Sequence, residues 1–171
     1  MPIHLEPLDV TADLEGFSSV LIVSCPICPA VCMSMQKKKP FIEFFKHGLK
    51  TQVVEDYITS IRKPLEQRGI RTGVFTMRVP VPTMCLWTQG QRSRLLRRAK
   101  DYDAVLVLGC DSATKTAKDA LKETGCHVFQ AMRVETIANS VAKFRFPLTV
   151  EFERRPTPTT TRIASSGLGV A

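Results

Sequence analysis

One stretch of the chain restricts its architecture more than any other. Ala104-Val105-Leu106-Val107-Leu108 is an unbroken apolar run that leads straight into Gly109-Cys110. The run is strand-sized, and its lack of polar alternation means that both faces must be covered. Val20-Leu21-Ile22-Val23 repeats the pattern near the N-terminus and ends at Ser24-Cys25. Strands buried on both faces belong to parallel sheets sandwiched between helices.

The rest of the chain supplies the helices and outer strands. Val54, Ile58, Ile61 and Leu65 recur at helical spacing. Pro64 is predicted to kink or shorten that helix, and Gly69 to close it. A second strand is expected over residues 72–77, and a basic helix over 89–101 with Leu95, Leu96 and Ala99 inward. Asp111 or Ser112 can cap a helix over 113–124 that Gly125 ends. Further predictions are a fourth strand over 127–131, a helix-like segment over 135–142 and an edge strand over 148–152. Residues 26–40, with Pro26, Pro29 and Pro40, read as irregular, and a short helix is expected near 41–45. Alternation of strand and helix with right-handed crossovers predicts an α/β fold, a small three-layer parallel sheet, flavodoxin-like or related. Residues 1–18 read as an extended lead-in, 19–153 as one cysteine-bearing α/β metal-centre domain, and 154–171 as a disordered Pro/Thr/Ser/Gly-rich tail.

No apolar run approaches the roughly 20 residues of a membrane span. The N-terminus lacks a basic start followed by a long apolar stretch, so no secretory signal is read and a cytoplasmic location is expected. Thiols stay reduced there, which turns six cysteines toward metal or redox chemistry rather than disulfides. The net charge is +8, with clusters at Lys37–Lys39 and Arg92–Lys100. They are read as solvated basic faces. No nucleic-acid motif accompanies them, and neither nucleic acid nor a membrane is expected as a partner.

Placed on the expected strands, five cysteines share one sheet edge. Cys25 ends the first strand, Cys28 and Cys32 follow it, Cys85 follows the second and Cys110 ends the third. Cys126 precedes the fourth strand and belongs at the opposite edge. Cys25-x2-Cys28-x3-Cys32 can offer three thiolates from one turn, with Cys85 or Cys110 as a fourth. Such a set suits a 4Fe-4S cluster or tetrahedral Zn. A redox pair of Cys25 and Cys28 leaves Cys32 and Cys85 without a role. Cys110 at a helix start could be a dipole-activated nucleophile, but no base stands beside it. The three histidines lack ligand spacing, and Trp87 reads as core packing. No catalytic triad, paired carboxylates or phosphate-binding glycine loop is visible.

VLIVSCPICPAVC, the lone Cys85 and DAVLVLGCDSATKTAKDAL together resemble the methylenetetrahydrofolate reductase C-terminal-like domain, a zinc- and iron–sulfur-associated accessory subunit of methylenetetrahydrofolate reductase. The resemblance covers residues 19–135. It implies metal or cluster ligation by Cys25, Cys28, Cys32, Cys85 and Cys110, without saying which four. It also implies one-carbon metabolism and a flavoprotein reductase or methyltransferase partner. The expected role is a non-catalytic accessory protein of an oxidoreductase. Rival readings are a zinc/thiolate methyl-transfer subunit and a structural zinc module that presents Arg92–Lys100 to an acidic protein.

Overall fold

The computed structural model describes residues 3–10 and 12–156. The chain starts with β1 (Ile3–Pro7), β2 (Ser19–Ser24) and α1 (Cys28–Lys37), followed by β3 (Ile42–Glu43) and the single turn α2 (Phe44–His47). Next come α3 (Gln52–Gln67), β4 (Arg71–Thr76), a 3-10 turn at Met84–Leu86, α4 (Gln89–Ala99), β5 (Ala104–Leu108) and α5 (Asp111–Ala120). The last strands are β6 (His127–Gln130), β7 (Met132–Ile137), β8 (Asn139–Arg145) and β9 (Thr149–Arg155).

The two apolar runs become the central neighbours β2 and β5 of a four-stranded parallel sheet, ordered β4-β2-β5-β6. Every residue of both strands is buried, as runs without polar alternation require. The α/β fold with a parallel sheet flanked by helices is therefore as expected. The connection β2 to β4 moves one way along the sheet, and β4 to β5 moves back past β2. With right-handed crossovers, these two connections lie on opposite faces. The helices pair accordingly, α1 with α3 and α4 with α5. Among the described residues, no helix is long and apolar enough to cross a membrane.

Register at the amino edge is held by Asp103. Its carboxylate accepts from the Ser18 hydroxyl at 2.6 Å and the Ser19 hydroxyl at 2.9 Å, clamping the starts of β2 and β5 together. Those hydroxyls hold the Asp103 carboxyl below the usual carboxylate range. At the carboxyl edge, Gly109 lets β5 and α5 close on β2. A Cβ there would stand 2.7 Å from Ala113 Cβ and 3.4 Å from Cys25 Cβ.

Several local expectations are corrected. Residues 28–37 are helical, because Pro29 lies in the first turn, where no intrahelical donor is lost. Lys38, at φ 51°, ends that helix, with the amide of Lys39 donating to the carbonyl of Ser34. α3 runs through Pro64 to Gln67, because Pro64 and Ser60 both face solvent, where a freed carbonyl can be hydrated. Gly69 (φ 80°) closes it as expected, with Gly69 donating to Glu66 and Ile70 to Leu65. α5 begins earlier than read, with Cys110 rather than Asp111 or Ser112 at the N-cap, and it ends at Ala120.

The helix-like segment over 135–142 is instead parts of β7 and β8. Val134, Ile137 and Val141 happen to fall at helical spacing, but β-branched residues suit strands, and strand partners settle the matter. β7 pairs antiparallel with β1, which gives part of the extended lead-in a structural place. β8 joins β9 and the two-residue β3 in a separate three-stranded antiparallel sheet, so the segment near 41–45 is strand and then one helical turn. Of the tail read as disordered, residues 157–171 lie outside the described residues.

Replacing Gly109 with Ala should lower stability by about 1–3 kcal/mol, the usual cost of forcing a methyl into a packed contact. Urea denaturation of the reduced protein measures it. An unchanged midpoint would show that the close approach at Gly109 is dispensable.

Candidate metal centre

β2 and β5 are the neighbouring strands from which the chain leaves toward opposite faces of the sheet. Parallel sheets place ligand sites at such a switch point, beyond the carboxyl ends of the strands. Three thiols meet there. Cys25 directly follows β2, and its amide donates to the Leu108 carbonyl of β5 at 2.9 Å. Cys28 is the first residue of α1 and Cys110 is the N-cap of α5. The Cys28 thiol lies close enough to Cys25 and Cys110 to shift the ionisation of both. All six cysteines are free thiols.

The surroundings favour negative charge on two of the three. The neighbouring Cys28 thiol lowers the Cys25 pKa to about 6, against the opposing effect of burial and with help from the amides of Met84, Ile27 and Cys28. The same thiol lowers Cys110 to about 5, assisted by the Ala113 and Ser112 amides in the first turn of α5. That amide contribution is the expected electrostatics of a helix N-terminus. Cys28, beside Cys110 and Cys25 and partly buried, is pushed far above the ordinary thiol range. One protonated thiol thus stands between two groups poised as thiolates.

Cys85 lies on the 3-10 turn beside this group. The turn approaches closely enough for the Met84 amide to act on Cys25. The Cys85 thiol is exposed, and its pKa is raised by desolvation and then by the charges of Cys110 and Cys25. Trp87, which follows the turn, is 4% exposed and packs edge-on against Phe75 with centroids 6.1 Å apart. Its indole N–H is buried and has no hydrogen-bond partner among the described residues.

Cys32 is engaged elsewhere. It lies one turn beyond Cys28 on α1, where its thiol accepts from the Leu5 amide at 3.2 Å and faces the Leu5 carbonyl at 3.5 Å. The groups that shift its pKa are burial, Leu5 and Glu135, and no cysteine is among them. Sequence spacing had no means of finding this contact, because β1 carries no strong strand signal. Cys126 stands at the opposite edge, where burial and then Asp103 raise its pKa.

Among the described residues, no group of three or more His, Cys, Asp or Glu side chains is arranged to hold a metal ion directly. The donor chemistry nevertheless suits a thiophilic centre: two stabilised thiolates, a third thiol between them and a fourth on the adjoining turn. Comparison of the chain with protein-family models, characterised proteins and solved structures finds no match.

The shifts have a consequence for stability. Cys25 and Cys110 lose their protons near pH 6 and 5 in the folded protein, but only near pH 9 when unfolded. Between those limits the unfolded chain binds more protons, so stability rises with pH. Above about pH 9, Cys28 keeps a proton that the unfolded chain releases, and the trend reverses. The urea midpoint of metal-free, reduced protein should therefore climb from pH 6 to 8.5, and Cys28→Ala should flatten the climb. A level profile in the wild type would contradict the proposed thiolate pair.

Proposed function

We propose that this protein is a small cytoplasmic accessory subunit that holds a 4Fe-4S cluster, or alternatively Zn, through Cys25, Cys28, Cys85 and Cys110. The observation that carries the reading is the meeting of three thiols, drawn from two strand ends and two helix starts, at the switch point of a parallel sheet. Four thiolates form the donor set of both centres. A bound cluster would supply one-electron transfer, whereas zinc would supply structural cross-linking or an activated thiolate.

The chain's own groups have definable roles. The first-turn amides of α5 and the amides around Cys25 offset sulfur charge. Trp87, buried beside the turn, would restrict water. Its unpartnered N–H is a donor of the kind that tunes thiolate or sulfide charge. Cys32 is left out of the set and ties α1 to β1 instead. The resemblance of residues 19–135 supports a flavoprotein reductase or methyltransferase as the partner, in one-carbon metabolism. The rival basic-helix reading draws less support, since Arg92 is already paired with Asp119 at 2.6 Å.

Metal and acid-labile sulfide analysis of anaerobically purified protein tests the proposal. Iron and sulfide in equal amounts are expected for the cluster, and one zinc without sulfide for the alternative. Cys28→Ser and Cys110→Ser should each reduce bound metal at least about tenfold, a typical cost of losing a ligand or its support. Cys32→Ser should retain it. A metal-free wild type whose thiols cycle through a disulfide would sink the proposal in favour of dithiol chemistry.

A further inference from the structure

The three-stranded sheet ends in an apolar surface that the described residues leave uncovered. β9 pairs with β8 along its length and with β3 at its start. The β8–β9 turn therefore lies beside α2, and the Phe44 amide donates to the Leu148 carbonyl at 3.2 Å. Six large apolar side chains are exposed there: Phe44, Phe45, Leu49, Phe144, Phe146 and Leu148. Phe146, at the turn, is 99% exposed and Phe144 81%. Together with Ile42 and Val150 these same side chains line an apolar groove of about 620 Å³. A patch this concentrated is uncommon on a monomer and marks an interaction surface.

We propose that the occupant is a second copy of this chain, docked about a twofold axis so that each Phe146 enters the groove of the other. An isologous interface must be self-complementary, with one surface supplying both the projecting and the receiving parts. This surface does so: Phe146, almost fully exposed among the described residues, stands on the wall of an apolar groove whose volume leaves room for a ring. The size is suitable as well. Four phenylalanines at up to about 200 Å² each, plus two leucines, expose on the order of 800 Å², close to what one partner contributes to a stable dimer.

Charge separates this occupant from others. Residues 37–50 and 139–155 carry nine lysines and arginines against three glutamates. The nearest cations are partly balanced within the chain, with Lys46 paired to Glu43 and Arg145 to Glu151. The remaining excess repels a second copy, so screening by salt should tighten the dimer. An acidic protein or an anionic lipid surface would instead be held more weakly in salt.

Sedimentation velocity of the full chain between 1 and 200 µM, at 50 and 500 mM NaCl, tests the inference without reference to the cysteine centre. A dimer with micromolar dissociation is expected, severalfold tighter at the higher salt. Phe146→Asp should weaken it at least 30-fold with an unchanged circular dichroism spectrum, since the side chain is exposed. Phe146→Ala should weaken it less, and serves as the readout if the charged variant does not fold. A wild type monomeric at 200 µM in both salts overturns the proposal, as does a dimer that survives Phe146→Asp. Monomers that sediment with vesicles of 30% phosphatidylserine, and not with phosphatidylcholine alone, overturn it in favour of lipid.

Discussion

The double-sided burial of β2 and β5 is the constraint from which the rest of the structure follows. These strands have no polar face to offer water, so helices must cover both sides of the sheet. Covering both sides forces the chain to leave the two neighbouring strands in opposite directions. The crevice between their carboxyl ends is a by-product of that packing. Cys25, Cys28 and Cys110 occupy it because they are the residues that follow, or nearly follow, each strand.

Closeness in the crevice depends on what is missing at position 109. Without a Cβ, β5 can turn into α5 against Ala113 and Cys25. The thiols then lie near enough to shift one another's ionisation, and α5 directs its first-turn amides at Cys110. The two helix starts contribute differently. α5 stabilises the charge on its own N-cap cysteine, whereas α1 contributes Cys28, the thiol that stays protonated beside the other two. Separation of roles within one cluster arises from burial and hydrogen bonding, since all three groups are chemically identical.

The peripheral strands serve another purpose. β1 and β7 form a separate pair, and Leu5 of β1 is in the core and engages Cys32. The β3-β9-β8 sheet attaches through packing of α1 on β9 and a contact between Phe41 and Phe152, with ring centroids 5.2 Å apart. Its far end carries exposed phenylalanines rather than core. The chain thus separates a buried, charge-stabilising crevice from an exposed apolar end, joined through α1.

Much of the central fold was legible in the sequence. Unbroken apolar runs, one helical stripe and Gly69 are local signals with one satisfactory solution each, and they yield the parallel sheet and the edge to which Cys25, Cys28, Cys85 and Cys110 belong. Local pattern misjudged 26–40 and 135–142, where proline position within a helix turn and strand partners outweigh periodicity. Which thiols gather was decided only in three dimensions, because the closeness of Cys25, Cys28 and Cys110 depends on strand register, while the bond that diverts Cys32 depends on a partner 27 residues away. The apolar surface around Phe146 likewise unites segments 100 residues apart, since a hydrophobic patch is a property of neighbouring surfaces and not of neighbouring letters.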